Sequence, residues 1–220
     1  MFDSQALWLT VKLASVTTAL LLLLALPLSY CIVFPRTRLR VLLEAAIALP
    51  LVLPPTLLGY YLLVGLGPLT AAGRTLTRLL GHTLAFSFSG LVVGSVVYSL
   101  PFAVQPLVAG LRSVDRRYLD VAATLGTSPV RSFFRVALPL TRPALLTSAV
   151  LTFAHTIGEF GVVLMLGGNI PGQTRTLSIV LYDLAENGEF DAANRIAFTL
   201  LTISTAALVL LYLRPTRRAS

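Results

Sequence analysis

The chain has 220 residues, 56% of them hydrophobic and only 12% charged, with a formal net charge of +8 and a mean hydropathy of +0.85. A soluble domain of this size has no use for so much apolar surface, so the composition points to a multi-spanning membrane protein. Its basic residues cluster between apolar runs, which fits a positive-inside topology better than an anionic polymer as partner, and no nucleic acid is expected. The single Cys31 excludes an intrachain disulfide and leaves the redox compartment undecided.

A helical span needs about 20 apolar residues to cross a core of roughly 30 Å. Five runs qualify, at about Leu7 to Val33, Val41 to Leu66, Leu84 to Leu107, Ala144 to Leu166 and Ile196 to Leu213. The first carries Lys12 near its start, able to snorkel. Cys31 follows Leu28-Ser29-Tyr30, which resembles a lipoprotein cleavage site. Tyr30 is too large for the position before the cysteine and no basic residue precedes Lys12, so the run is read as a retained span.

The second run, LPLVLPPTLLGYYLL, holds Pro50, Pro54, Pro55, Thr56 and Gly59. Prolines this close free backbone carbonyls and kink or break the helix, which lipid tolerates only where protein or a water-filled cavity satisfies them. The break either serves packing or lines a translocation path. Tyr60 and Tyr61 fall near the outer end, where interfacial anchoring accounts for them. In the third run Gly90 and Gly94 permit close helix contact, and Pro101 and Pro106 could bend the chain as it leaves the membrane.

The fourth run contains the one acid deep in an apolar stretch, in His155-Thr156-Ile157-Gly158-Glu159-Phe160-Gly161. A buried carboxylate is expensive and is a functional-site hypothesis by default. His155 and Glu159 stand four apart and would share a helix face. Glu159 is open to three readings: a structural or gate-forming contact to His155 or across a dimer, a proton relay, or a substrate ligand. After it, Gly167, Gly168, Asn169, Pro171 and Gly172 make a turn-rich segment that runs on to Arg175. Leu177, Val180, Leu181 and Leu184 then suggest a short amphipathic helix at or dipping into the surface.

Charges alternate between these runs. Arg36, Arg38 and Arg40 lie in the first connection, Arg74 and Arg78 in the second, and Arg112, Arg116, Arg117, Arg131, Arg135 and Arg142 in the third. The fourth connection is net negative, and the tail carries Arg214, Arg217 and Arg218. Connections one and three and the tail hold 12 of the 16 arginines. That places them in the cytoplasm, the N-terminus outside and the C-terminus inside.

The longest polar interlude, DVAATLGTSPVRSFFRVALP from Asp120 to Pro139, reads as helix, glycine hinge, helix. Leu111, Val114, Tyr118, Ala122 and Leu125 recur at three- and four-residue steps as one amphipathic face. Gly126 sits where a helix end needs a left-handed residue, Thr127 or Ser128 can cap the next helix, and Pro129 fits its first position. Val130, Phe133 and Phe134 give that helix a blunt apolar face beside Arg131 and Arg135, a plug for a partner's groove.

With Asp120, Val121 and Ala122, Gly126 six positions after the acid, and Leu138-Pro139, this stretch resembles the EAA coupling loop of ABC-importer permeases. Asp120 for Glu and Val121 for Ala are mild departures. The proline-rich second run, the Gly158–Gly161 motif GEFG and the Gly168–Thr176 motif GNIPGQTRT extend the resemblance to the molybdate/tungstate permeases, over about residues 7 to 213. It implies one all-α transmembrane domain over 1–220, of about five spans, with the coupling loop at about 112–142. It further implies a homodimer in the plasma membrane on two copies of a separate ATPase, which binds the ATP and Mg, and an extracytoplasmic molybdate/tungstate-binding protein.

By position the resemblance assigns Asp120, Ala122, Ala123 and Gly126 through Arg135 to the ATPase. The Pro54–Gly59 break and the His155–Gly161 segment fall to the path or gate, and Gly168, Asn169, Pro171 and Arg175 to the binding protein. The chain lacks any glycine-rich loop before a lysine, so it carries no ATP-hydrolysing device of its own, and no catalytic or metal-binding constellation emerges. The neighbouring sulfate permeases are the closest rival reading. A proton-coupled transporter using Glu159 and His155 and an assembly subunit are the others.

Overall fold

The computed structural model describes residues 3–35 and 38–213, and the regular elements among them are all helices. Arg36, Arg214, Arg217 and Arg218, counted above for the topology, lie outside the described residues. The first helix, α1 (Ser4–Val33), starts where Asp3 accepts the Ala6 N–H at 2.9 Å. At about 1.5 Å per residue its 30 residues reach well beyond a bilayer core. Lys12 leaves the apolar stripe with its Nζ 4.5 Å from the Phe88 ring centroid.

The second run does not form one span. α2 (Leu39–Val52) and α3 (Pro55–Leu66) meet at 111°. The cause is local: Pro54 drives Leu53 to an extended ψ of 138°, and Pro55 opens the next helix. A short amphipathic helix, α4 (Ala71–Leu80), follows; Thr70 caps it and Gly81 ends it in the left-handed region.

α5 (Phe88–Arg112) is the central post. Pro101 and Pro106, expected to bend the chain, lie within one helix that continues through both. Beyond it come α6 (Arg116–Thr124) and α7 (Pro129–Ser132), a π-helical turn over Phe133–Ala137, and α8 (Leu138–Leu140). The fourth run is also broken, into α9 (Arg142–Ile157) and α10 (Gly161–Gly167). The two still traverse the bundle as one path antiparallel to α5. Ala144 faces Gly110, Thr156 faces Ser99, Val162 faces Gly94, and Gly167 faces Leu91. Gly94 gives the close helix contact expected of it, against Val162 and Leu166.

α1, α5 and α9 pack chiefly on one another. Their meeting faces carry small hydroxyl residues buried to 0%: Thr17, Ser95, Ser99, Ser148 and Thr152. Small side chains let membrane helices approach closely. α11 (Leu177–Glu186) and α12 (Phe190–Tyr212) close the bundle. α11 is expected at or dipping into the surface; its first turn, Leu177, Ser178, Ile179 and Val180, is buried, whereas Tyr182, Ala185 and Glu186 are exposed. The Leu177 N–H, unsatisfied by its own helix, donates to Thr10 Oγ1 of α1 at 2.9 Å, which ties the buried end of α11 to α1. α12 buries only Ala193 and Ile196. Among the described residues three helices are long and apolar enough to cross a membrane, and up to five crossings result if two bent pairs, α2 with α3 and Pro129–Leu140 with α9, each count as one.

Candidate functional site

The polar interlude between α5 and α9 forms the first candidate. α5 stops at Arg112, and Asp115 caps α6 by accepting the Arg117 N–H at 2.9 Å. The amphipathic face read continuously from Leu111 to Leu125 is therefore interrupted. Leu111 and Ala122 are buried, whereas Tyr118 and Leu125 are exposed. Gly126, at φ 74°, reverses the chain. Its N–H donates to Ala123 O at 2.9 Å and the Thr127 N–H to Ala122 O at 3.0 Å, the paired bonds of a Schellman cap. The Thr127 hydroxyl also donates to Ala122 O. Ser128, not Thr127, caps α7, accepting the Arg131 N–H, with Pro129 in the first turn.

The two phenylalanines part company. Phe134 is 53% exposed, as a docking plug requires, but Phe133 is 1% exposed. The π-helical turn rotates Phe133 into the end of the bundle, edge-on to Tyr30 at 5.3 Å and to Phe34 at 5.7 Å. Phe133 anchors the loop and is corrected from the exposed set. The outward surface is Tyr118, Val121, Leu125, Val130 and Phe134 among Asp120, Ala123, Arg131 and Arg135. An apolar patch rimmed by charge is what a protein partner covers.

The two broken spans meet in the second candidate. A Cβ on Gly161 would lie 2.9 Å from Pro55 Cβ and 3.2 Å from Thr56 N. One on Gly59 would lie 2.8 Å from Met165 Cβ and 3.0 Å from Val162 Cα. So Pro55, Thr56, Gly59 and Gly161 are brought together, with Pro54 exposed at the bend, Gly158 ending α9 and the Phe160 ring tilted against that of Tyr182 at 4.9 Å.

Glu159 and His155 do not pair. The helix ends at Ile157, so the four-residue spacing no longer sets them on one face. His155 Nδ1 instead lies 3.0 Å from Ser99 Oγ, with its ring stacked on Phe102 at 3.9 Å. Glu159 is 4% exposed; its carboxylate faces Ser95, yet among the described residues no donor meets either oxygen in hydrogen-bond geometry. Its backbone carbonyl accepts from Ser178 Oγ at 2.6 Å, which ties the break to α11. Ser99, Phe102, Thr10 and Ser178 were missed from sequence. The four-residue spacing of Ser95 and Ser99, and of Ser148, Thr152 and Thr156, was the available signal.

In the turn-rich segment Gly168 packs under the Phe86 ring, and Asn169 takes a φ of 57°. Asn169 Nδ2 and Arg175 both donate to Asp183 Oδ2, at 2.9 and 2.8 Å, and Thr174 Oγ1 donates to Gly167 O at 2.6 Å. Asn169 and Arg175 thus hold the segment on α11, whereas Pro171 is exposed.

A family model described as "Binding-protein-dependent transport system inner membrane component" matches residues 14–217. The chain belongs to this family. The permease is 49% identical, over 96% of its own length and 93% of the relative's, to the "Molybdenum transport system permease protein ModB" of Azotobacter vinelandii. It is 36% identical to the protein of the same description from Escherichia coli K12, over 93% and 90% of the two chains. Among solved structures, a bacterial ABC transporter that imports the acidic polysaccharide alginate superposes with a TM-score of 0.76 at 15% identity, covering 98% of the permease and 79% of that chain. At that identity the likeness is one of fold. The permease is an inner-membrane, multi-pass transport component, and ATP hydrolysis belongs to another subunit.

Proposed function

We propose that the permease is the membrane subunit of a molybdate importer. Two copies stand on two copies of a separate ATPase and take the anion, molybdate or tungstate, from an extracytoplasmic binding protein. The observation that carries this reading is the 49% identity to a molybdenum permease along almost the whole chain. The geometry supports its mechanical side. The outward patch on α6 and α7 receives the ATPase in the cytoplasm, and Phe133 ties that patch to the end of α1.

ATP binding draws the two ATPases together, and the docked loops follow them. The motion enters α9 through the π-helical turn and α8, which meet α9 at 76°. It reaches the crossing of the two broken spans, where the anion passes. Exposed apolar residues of α3 and α12, such as Tyr61, Val64, Phe198 and Leu201, face lipid and the second copy. A conduction path must release its ion readily, so selectivity resides mainly in the delivery protein. The N-terminus lies outside and Gly168 to Arg175 lies on the side of the binding protein.

The test is radioactive molybdate uptake into proteoliposomes holding permease, ATPase and binding protein. ATP-dependent uptake that excess sulfate barely inhibits, and that Gly126→Val depresses, is the expected result. Equal competition by sulfate would move the assignment to a sulfate permease, and uptake without ATP would overturn the coupling scheme.

A further inference from the structure

Two clefts meet at the coupling-loop end of the bundle. The first, of about 510 Å³, lies between α2 and α5 and is walled by apolar side chains such as Ile47, Ala48, Val104 and Val108. The second, of about 440 Å³, lies between the end of α1, the start of α2 and α6, and Arg40, Arg116 and Asp120 line it. Each falls in the range of small-ligand sites, roughly 300–1,000 Å³. Ile32 and Arg112 border both. Arg112 is neutralised there by Glu44 at 2.6 Å, so the neck between the clefts carries no net charge.

Arg40, Arg116 and Asp120 form no ion pair or side-chain hydrogen bond among the described residues. The joint cavity is therefore mostly apolar between α2 and α5 and ionic at its α6 end, with two guanidiniums and one carboxylate. That is the polarity of a phospholipid, and basic pockets between membrane helices take lipid headgroups. The carboxylate narrows the choice. A headgroup that is only anionic leaves Asp120 facing like charge, whereas a primary ammonium satisfies it.

We propose that this cavity binds one phosphatidylethanolamine per permease. Its phosphate accepts from Arg40 and Arg116, its ammonium donates to Asp120, and one acyl chain lies between α2 and α5. Because Arg116 and Asp120 belong to α6, while Arg40 belongs to α2, the lipid braces the ATPase-docking helix against the transport helices. The proposal goes beyond the import reading and does not depend on which anion is carried.

The test is native mass spectrometry of the purified full-length permease, stripped in detergent and then offered phosphatidylethanolamine, phosphatidylcholine or phosphatidylglycerol. The expected result is one phosphatidylethanolamine retained per chain, about tenfold more tightly than phosphatidylcholine, whose quaternary head has no N–H to give. Arg40→Gln and Arg116→Gln each weaken retention of both lipids about tenfold. Asp120→Asn brings the preference between the two close to unity. Unchanged unfolding midpoints of the stripped variants show that the fold is intact. The proposal is overturned by lipid retention indifferent to the arginine variants, which is annular lipid only, or by tighter retention of phosphatidylglycerol. Displacement of the lipid by one equivalent of the ATPase subunit also overturns it, since the cleft then belongs to that partner.

Discussion

Phe133→Ala removes a ring that is 1% exposed and that meets Tyr30 and Phe34 edge-on. Truncating a buried phenylalanine costs roughly 3–5 kcal/mol, because the cavity left behind closes only in part. For a chain of 150–250 residues each kcal/mol moves the midpoint by about 2–4 °C, so the permease should unfold about 6–20 °C lower. Phe134, its neighbour, is 53% exposed. Phe134→Ala should stay within about 0.5 kcal/mol of wild type, a shift of no more than about 2 °C. Its effect should appear in ATPase docking, where losing an aromatic anchor of about 2 kcal/mol weakens binding about 30-fold. Both variants are purified in detergent, heated and followed by loss of monodisperse protein, and their affinity for the ATPase is measured alongside. Equal midpoints for the two variants, or undiminished ATPase binding by Phe134→Ala, would refute the division into an anchor and a plug.

Gly126 lies at φ 74° with open space where a Cβ would go, so conformation and not contact is the constraint. Gly126→Val should cost about 1–2 kcal/mol and depress ATP-driven uptake, whereas Gly126→Asn, tolerant of the left-handed region, should retain most of it. A valine at Gly161 would drive into Pro55, and strain of about 1–3 kcal/mol should abolish uptake. Gly65→Val, with nothing within 4 Å, should leave uptake near wild type in the same vesicles. Asp183→Ala leaves Arg175 and Asn169 without their shared acceptor; about 1–3 kcal/mol of local order should be lost. Faster amide exchange in residues 168–176 and weaker stimulation of ATP hydrolysis by the binding protein are the expected readouts.

The helical class, the five apolar runs and the capped hinge at Gly126 are legible in the sequence because each is written locally. Length and hydropathy define spans, and a glycine followed by a capping serine and a proline defines a turn. The burial of Phe133 is not, since it depends on a π-helical turn that shifts the register of the face and on Tyr30 and Phe34 a hundred residues away. Pro54-Pro55 announces its break through backbone sterics. The break at Gly158 to Phe160 has no such mark and is held by tertiary partners, Pro55 on one side and Ser178 on the other. That same break undoes the pairing of His155 with Glu159, which presumes an unbroken helix. Pro101 and Pro106 do not end α5, which packs on α1 and α9.

Where Gly59 lies on Val162 and Met165 and Gly161 lies on Pro55, the crossing spans touch through main chain, a rigid ring and the stem of one methionine. A joint built from interlocked long side chains can turn only by exchanging rotamers in a densely packed interior, and each exchange adds to the barrier. Here the two glycines and the proline ring have none to exchange, and Met165 supplies the flexible side chain. A crossing built this way requires fewer rotamer exchanges for one broken span to swing against the other than a seam of interlocked long side chains would. Any substituent added there acts as a brake on turnover before it acts on the fold.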